Sequence, residues 1–429
     1  ASRNWDPFDI PPASIRAVLL THAHLDHCGL LPKLVKDGYA GPVYATPATR
    51  DIAAIVLRDS ARIQEEDIAF KQKRHAREGR ASPYPYEPLY TVADVTRTLR
   101  LFRPVPYREP VPVAEGVTAT FYEAGHIFGS AFVLAAVADG SGAPRRLLFS
   151  GDMGRPNLPI QRDPDPAVET DYLQVESTYG NRRHGAPADI PGQLEAVVNE
   201  TVARGGNVVI PSFAVERTQE LLYFLGRLLG EDRVPHLPIF VDSPMAVRVI
   251  EVFRRHPDLY DQATRAALKG KRFLARFPNV HLSRSVGDSK AINRIRGSAI
   301  IIAGSGMCTG GRIKHHLRVN LPRPESTVLF VGYQAAGTLG RLILDGAPQV
   351  RLFGQPCDVR ARVARIDGFS GHADRDELLA WLAGIRRDPG RVCVTHGEPE
   401  SAGAFAQALR EARGWEAVVP AYGETVRLD

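Results

Sequence analysis

Thr21-His22-Ala23-His24-Leu25-Asp26-His27 sets three imidazoles and a carboxylate within six residues, where an apolar run over residues 16–21 gives way to polar chain. On extended backbone, residues i, i+2 and i+4 share one side. His22, His24 and Asp26 can therefore converge, and His27 swings in as the chain turns into the helical spacing of residues 30–35. Neutral imidazoles beside a carboxylate suit zinc. The bland alternative is a polar surface loop, and the density of ligands argues against it.

Two metals need more ligands than this cluster holds, and other strand ends offer them. His126 lies in Glu123-Ala124-Gly125-His126, Asp152 in Phe149-Ser150-Gly151-Asp152, and His396 in Val394-Thr395-His396-Gly397. Taken singly, each histidine is more often a structural residue, and Ser-Gly-Asp is more often a turn. Their weight comes from the ordered set. Strand patterns at residues 117–122, 131–137, 146–150 and 172–175 mostly end near Gly, His, Asp or Glu, so the chemistry collects at strand ends.

From residue 193 the pattern changes to helices alternating with buried strands: helix to 203, strand 207–211, helix 218–228, strand 238–241, helix 245–254. Strands at 298–303 and 327–332 follow, separated by a glycine-rich turn over 304–311. The expected organisation is an α/β insertion, residues 179–349, inside a metal-binding domain made of residues 1–178 and 350–429. Helical signals run over residues 49–63. The polar, basic stretch 71–90, with Pro83, Pro85 and Pro88, reads as an exposed loop or irregular excursion.

The bulk composition agrees with two domains. The chain has 429 residues, 44% hydrophobic and 24% charged, enough for substantial cores. No apolar run is long enough to span a bilayer, so no membrane partner is expected. Lys and Arg exceed Asp and Glu by 54 to 48, a net charge of +6 that suits a polyanionic partner without demanding one. Cys28, Cys308, Cys357 and Cys393 form no CxxC pair, which points away from a disulfide framework and towards a reducing, cytoplasmic setting.

His-x-His-x-Asp-His followed by His126, Asp152 and His396 resembles the metallo-β-lactamase superfamily. Within it, Glu176 in Glu176-Ser177-Thr178-Tyr179-Gly180, His372 in Phe369-Ser370-Gly371-His372-Ala373-Asp374, and His396 in Thr395-His396-Gly397-Glu398 resemble the β-CASP nucleases. Gly304-Ser305-Gly306-Met307, residues 210–217 and residues 241–245 are similar to the same family, so the likeness runs from His22 to the C-terminus. The implied fold is α/β: a metallo-β-lactamase αββα sandwich with an inserted parallel α/β β-CASP domain. Relatives open with strands and an Asp-x-Gly turn that have no counterpart before His22. Either the chain begins after them or the sheet lacks that edge and exposes apolar surface.

Carried over residue by residue, the resemblance implies two zinc ions. His22, His24 and His126 would hold one; Asp26, His27 and His396 the other; Asp152 would bridge both, with a shared hydroxide for in-line attack on phosphate. His372 would face the phosphate as hydrogen-bond or proton donor, and with Asp26 and Glu176 it makes up the expected catalytic group. Glu176 would fix the tautomer of a ligating imidazole, a helix cap or surface carboxylate being the alternative. Ser305 and Gly306 in the glycine-rich turn, with Ser212 and Arg217, are the expected substrate-binding residues, and Arg312, Lys314, His315 and His316 would complete a phosphate clamp.

The expected activity is ribonuclease cleavage of single-stranded or unstructured RNA, with endonucleolytic cutting favoured and a 5′ exonuclease mode left open. His396 at the last motif is similar to the RNA-processing branch, where the DNA-repair branch has an apolar residue. The competing readings are a dizinc hydrolase of small esters or lactones, a DNA nuclease, and a non-catalytic nucleic-acid scaffold. A scaffold would have lost ligands, and all seven positions are filled. A homodimer is expected by analogy with relatives.

Overall fold

The chain opens with a three-stranded parallel sheet, β1 (Val18–Leu19), β2 (Val43–Ala45) and β3 (Phe102–Pro104). Next come β4 (Pro110–Ala114), β5 (Val117–Glu123), β6 (Ala131–Val137) and β7 (Arg145–Phe149), an antiparallel meander to which β8 (Tyr172–Glu176) adds in parallel. Then follow β9 (Val208–Pro211), β10 (Ile239–Asp242), β11 (Val280–Leu282), β12 (Ile300–Ala303), β13 (Thr327–Val331), the hairpin β14 (Gln349–Leu352) and β15 (Gln355–Asp358), and β16 (Arg362–Ile366). The last two are β17 (Arg391–Thr395) and β18 (Ala417–Val418). This computed structural model describes residues 2–82, 85–138, 140, 142–184, 189–268, 279–295 and 297–428.

Two compact units result. The first comprises Ala1–Asn157, Asp163–Arg183 and His372–Asp429; the second comprises Leu158–Arg162 and His184–Gly371. In the first, seven strands pair in the order β18-β17-β8-β7-β6-β5-β4. Side-chain alternation gives this sheet two apolar faces. Ala119 and Phe121 of β5 with Ala131 and Val133 of β6 pack towards Leu19 and Tyr44 of the small sheet. Phe132 and Leu134 on the other face join Leu148, Leu173, Val175, Val392 and Val394 against Leu378 and Leu382 of helix Arg375–Leu382 and Phe405 and Leu409 of helix Pro399–Arg413. Phe121 and Phe405 are fully buried, and truncating either to alanine would cost about 3–5 kcal/mol.

The second unit is a six-stranded parallel sheet ordered β11-β10-β12-β9-β13-β16. Its central strands read Val208-Val209-Ile210 and Ile300-Ile301-Ile302, buried throughout, as expected of strands covered on both faces. This parallel α/β unit and the sandwich match the expected fold class.

Two boundaries differ from expectation. The stretch 71–90 is irregular only in its later part: one 32-residue helix, Pro47–Glu78, takes in its beginning, and the described residues after Gly79 form no helix or strand up to Tyr90. Thr46 caps its start by accepting from the Thr49 N–H, and Gly79 ends it with a left-handed φ of 62°. Apolar burial stops after Ala61, apart from His75, so hydrophobic periodicity ends while helix-forming Lys, Arg, Glu and Ala residues carry the helix on. Pro83 lies outside the described residues. The return to the first unit falls at His372, not near residue 350, because β16 pairs in parallel with β13 and extends the second sheet. Among the described residues no helix is long and apolar enough to cross a membrane.

Candidate metal centre

The ligand candidates sit on loops that leave the first unit's strands at one end. β1 covers only two residues, and Leu25–Cys28 is already helical, so His22 and His24 belong to extended chain while Asp26 and His27 project from a first helical turn. The strand-based expectation that His22, His24 and Asp26 share one side does not hold, because helical twist redirects Asp26. His126 is held in the loop between β5 and β6, where its N–H donates to Ser130 Oγ at 3.0 Å. Asp152 follows β7. Its loop crosses that of His126 so closely that a Cβ on Gly154 would stand 1.7 Å from the Gly125 carbonyl oxygen, and only glycine permits the crossing.

The seven side chains meet as two sets sharing one residue. His22 Nε2 and His126 Nε2 each lie 3.1 Å from His24 Nδ1, and 3.4 and 3.5 Å from Asp152 Oδ2. His27 Nε2 lies 3.0 Å from His396 Nε2 and 3.3 Å from Asp152 Oδ1, and His396 Nε2 lies 3.4 Å from Asp26 Oδ2. Asp152 thus turns one carboxylate oxygen to each set. It is 1% exposed, and Oδ1 has no hydrogen-bond partner among the described residues.

These distances fit a metal. Four ligands about 2.0–2.1 Å from a tetrahedral zinc ion stand about 3.3–3.4 Å apart, close to the spacing found here. Imidazole nitrogens that face one another, and a buried carboxylate oxygen without a donor, are what a cation between them would satisfy. His22, His24, His126 and Asp152 form one possible ligand group, and Asp26, His27 and His396 another.

Electrostatics prepare the two sets differently. Burial lowers the pKa of His22 and His126, and that of His24 to about 3, so this set is neutral and ready to ligate. Burial works against the charge of Asp152, but the adjacent His22 and His27 imidazoles outweigh it and hold its pKa well below the usual carboxylate range. The hydrogen bond from His396 lowers Asp26, and the same bond raises His396 to about 9. The second set is also the more open, Asp26 being 65% exposed.

Glu176 and His372 lie beside the first set. Glu176 is buried at the end of β8; Oε1 accepts from the Met153 N–H at 2.6 Å, and Oε2 from the Thr178 N–H at 3.2 Å. Oε1 also stands 3.2 Å from His372 Nδ1. The expected partner was a ligating imidazole; the structure pairs Glu176 with His372 instead, because Met153 ties both loops together, its carbonyl accepting from Ala373 N–H at 2.8 Å. Burial disfavours the charged His372 ring, yet Glu176 prevails and raises its pKa. The ring lies 4.4 Å from that of His126, centroid to centroid, and Tyr179 meets it edge-on at 6.0 Å.

The substrate-binding expectations concern the second unit. Ser212 is 2% exposed. Its hydroxyl bonds the Phe213 carbonyl and Thr218, and its N–H donates to the Ala303 carbonyl, which braces the turn after β9. Gly306 is required by packing, since a Cβ would meet the Phe213 ring at 2.8 Å. Ser305 is half-buried, its hydroxyl near Thr309 and Gly310. Arg217 pairs with Glu220 at 2.6 Å and lies 5.2 Å from the Phe369 ring, while its buried Nε has no partner among the described residues. The basic residues after the turn form no clamp as a group: Arg312 and His316 both bond buried Asp242, at 2.6 and 2.7 Å, and Lys314 and His315 lie against Phe353.

Sequence reasoning missed two hydroxyls. Thr21 Oγ1 is 3.2 Å from His22 Nδ1, and Thr178 Oγ1 is 3.2 Å from His396 Nδ1. A lone threonine beside a motif has no spacing signal that would single it out.

Three family descriptions match the chain. Residues 7–198 match the metallo-β-lactamase superfamily, residues 218–343 the β-CASP domain, and residues 356–420 the Zn-dependent metallo-hydrolase RNA specificity domain. Ribonuclease TTHA0252 of Thermus thermophilus is 40% identical over 426 residues, covering 99% of this chain and 91% of that protein. The transcription termination factors FttA of Methanosarcina mazei and Pyrococcus horikoshii are 33% and 31% identical over 98% and 96% of this chain, which spans 64% and 61% of their lengths.

Proposed function

Because the chain belongs to the β-CASP ribonuclease family of metallo-β-lactamase-type, metal-dependent hydrolases, we propose that it hydrolyses RNA phosphodiester bonds at a dizinc centre built by His22, His24, His126, Asp152, Asp26, His27 and His396. The observation that bears most on this reading is Asp152, whose two oxygens face separate ligand sets. When bound, a pair of zinc ions would bring the pKa of a coordinated water from about 15.7 to roughly 7 and hold the phosphate oxygens in line.

The chain's own residues supply the rest. Glu176 holds His372 by Nδ1 and favours its charged form, so Nε2 is the nitrogen that donates to the phosphate or delivers a proton to the leaving oxygen. Asp152 and Glu176 are buried, and each has an imidazole partner. Ser305, Gly306, Ser212 and Arg217 are proposed, on resemblance, as contacts to the RNA backbone. Endonucleolytic cutting with a 5′ exonuclease mode, a cytoplasmic setting and a homodimer are proposed on resemblance.

The test is digestion of unstructured RNA labelled separately at its 5′ and 3′ ends, with and without zinc loading. Zinc-dependent internal fragments from both labels are expected, and mononucleotides from the 5′ label would add the exonuclease mode. Intact RNA alongside rapid hydrolysis of small esters would reject the proposal.

A further inference from the structure

We infer that Thr178 is a positioning residue: its hydroxyl fixes the tautomer and direction of the His396 ring, and so controls how tightly the second half-site holds its ion. This rests on the dizinc reading proposed above.

His396 needs such a prop. It follows the last residue of β17 with a left-handed φ of 57°, which a non-glycine residue rarely adopts, and its side chain is 33% exposed. In the first set His22 and His126 are at most 2% exposed, and His24 is intermediate. The more open half-site depends more on hydrogen bonds to orient its ligands, because packing does less of that task.

One hydroxyl does two things here. Thr178 Oγ1 lies 3.1 Å from the His396 carbonyl oxygen and 3.2 Å from His396 Nδ1. A carbonyl oxygen only accepts, so the single hydroxyl proton goes to it, and the oxygen's lone pairs are left to accept from Nδ1–H. A neutral ring that carries its proton on Nδ1 has a bare Nε2. Nε2 is the atom that faces His27 Nε2 at 3.0 Å and Asp26 Oδ2 at 3.4 Å. The choice matters because Nδ1 itself stands 3.3 Å from Asp152 Oδ1. Asp152 Oδ1 makes no hydrogen bond there among the described residues, so the hydroxyl is the partner that holds the proton on Nδ1.

Thr178 is itself held rigidly. Glu176 accepts from its N–H, Ser401 Oγ donates to the Ser177 carbonyl at 2.7 Å, and Ser177 Oγ donates to the Thr395 carbonyl at 2.8 Å. A Cβ on Gly397 would stand 2.4 Å from Ser177 Oγ, so the two strand ends are pressed together where the hydroxyl meets the ring. Thr21 Oγ1 beside His22 Nδ1 repeats the pairing in the first half-site. Hydrogen bonds behind ligating histidines are worth about 10–100-fold in metal affinity.

The experiment compares Thr178→Val and Thr178→Ser with the wild type by metal content after dialysis against graded chelator. The expected result is two zinc ions in the wild type and the serine variant, with one ion lost about 10–100-fold more easily from the valine variant. Equal retention of both ions by the valine variant, or equal loss in valine and serine variants, would overturn the inference. A second measurement needs no variant: ring-nitrogen NMR of zinc-loaded wild type with 15N-labelled histidine, where His396 should be protonated at Nδ1. Protonation at Nε2 would overturn it as well. A wild type that binds fewer than two ions would instead count against the dizinc reading.

Discussion

Glu176→Gln removes one charge at nearly constant volume and leaves one oxygen to accept from the Met153 or Thr178 N–H. Zinc content is therefore measured beside the rate when this variant is used to probe His372. Glu176 is fully buried and its Oε1 is 3.2 Å from His372 Nδ1, on a side chain 21% exposed. A hydrogen bond to a charged group is worth about 1.5–3 kcal/mol, and at about 1.36 kcal/mol per pKa unit its loss lowers the ring's pKa by about 1–2 units. The sign follows from the raised native value. His372 is protonated below its pKa, so activity that needs its proton falls as pH rises through that value. The variant should therefore move the alkaline limb of the pH–rate profile for RNA cleavage down by about 1–2 units, a loss of about 10–100-fold above both limbs. The acid limb should stay, since no metal ligand changes. Because the profile is a difference between two loaded enzymes, the field of the ions is common to both. An unmoved alkaline limb, with zinc content unchanged, would refute the role given to the pair.

His372→Ala should lower kcat by about 10²–10⁴ while both ions stay bound; elemental analysis beside the rate measurement checks this, and full cleavage would contradict it. Filling the second half-site at pH 7 should release a proton, because His396 sits near 9 without metal and must become neutral to ligate. Calorimetric zinc titrations in two buffers of different ionisation heat would detect it, and equal heats would argue against that ligand. Gly154→Ala should destabilise the first unit by about 1–3 kcal/mol, since its Cβ would press on the Gly125 carbonyl, and it should weaken the half-site containing His126. A thermal melt and a metal titration unchanged from wild type would contradict this.

The candidate ligands were legible in the chain because metal chemistry restricts residue type, and because strand ends are marked by Gly and by the close of apolar alternation; the structure brings them together. Glu176 was found by motif, but its partner was not. That pairing depends on Met153 joining two loops far apart in sequence, and no local pattern encodes it. The helix to Glu78 was misread because its distal half is helical by propensity and exposure, with no buried face to give periodicity. The return to the first unit was placed too early because β16 has the same apolar style as the strands on either side; only its pairing with β13 assigns it. Arg312 and His316 looked like phosphate donors, yet a buried carboxylate at Asp242 engages both. Charge in a sequence does not reveal whether its partner is already inside the protein.

Anomalous diffraction at the zinc edge from crystals of the zinc-loaded protein examines the shared carboxylate most directly. Two peaks about 3.5–4 Å apart, one beside Asp152 Oδ2 among His22, His24 and His126, the other beside Oδ1 among His27, His396 and Asp26, are predicted. A single peak, or a second one away from Asp152, would contradict the account.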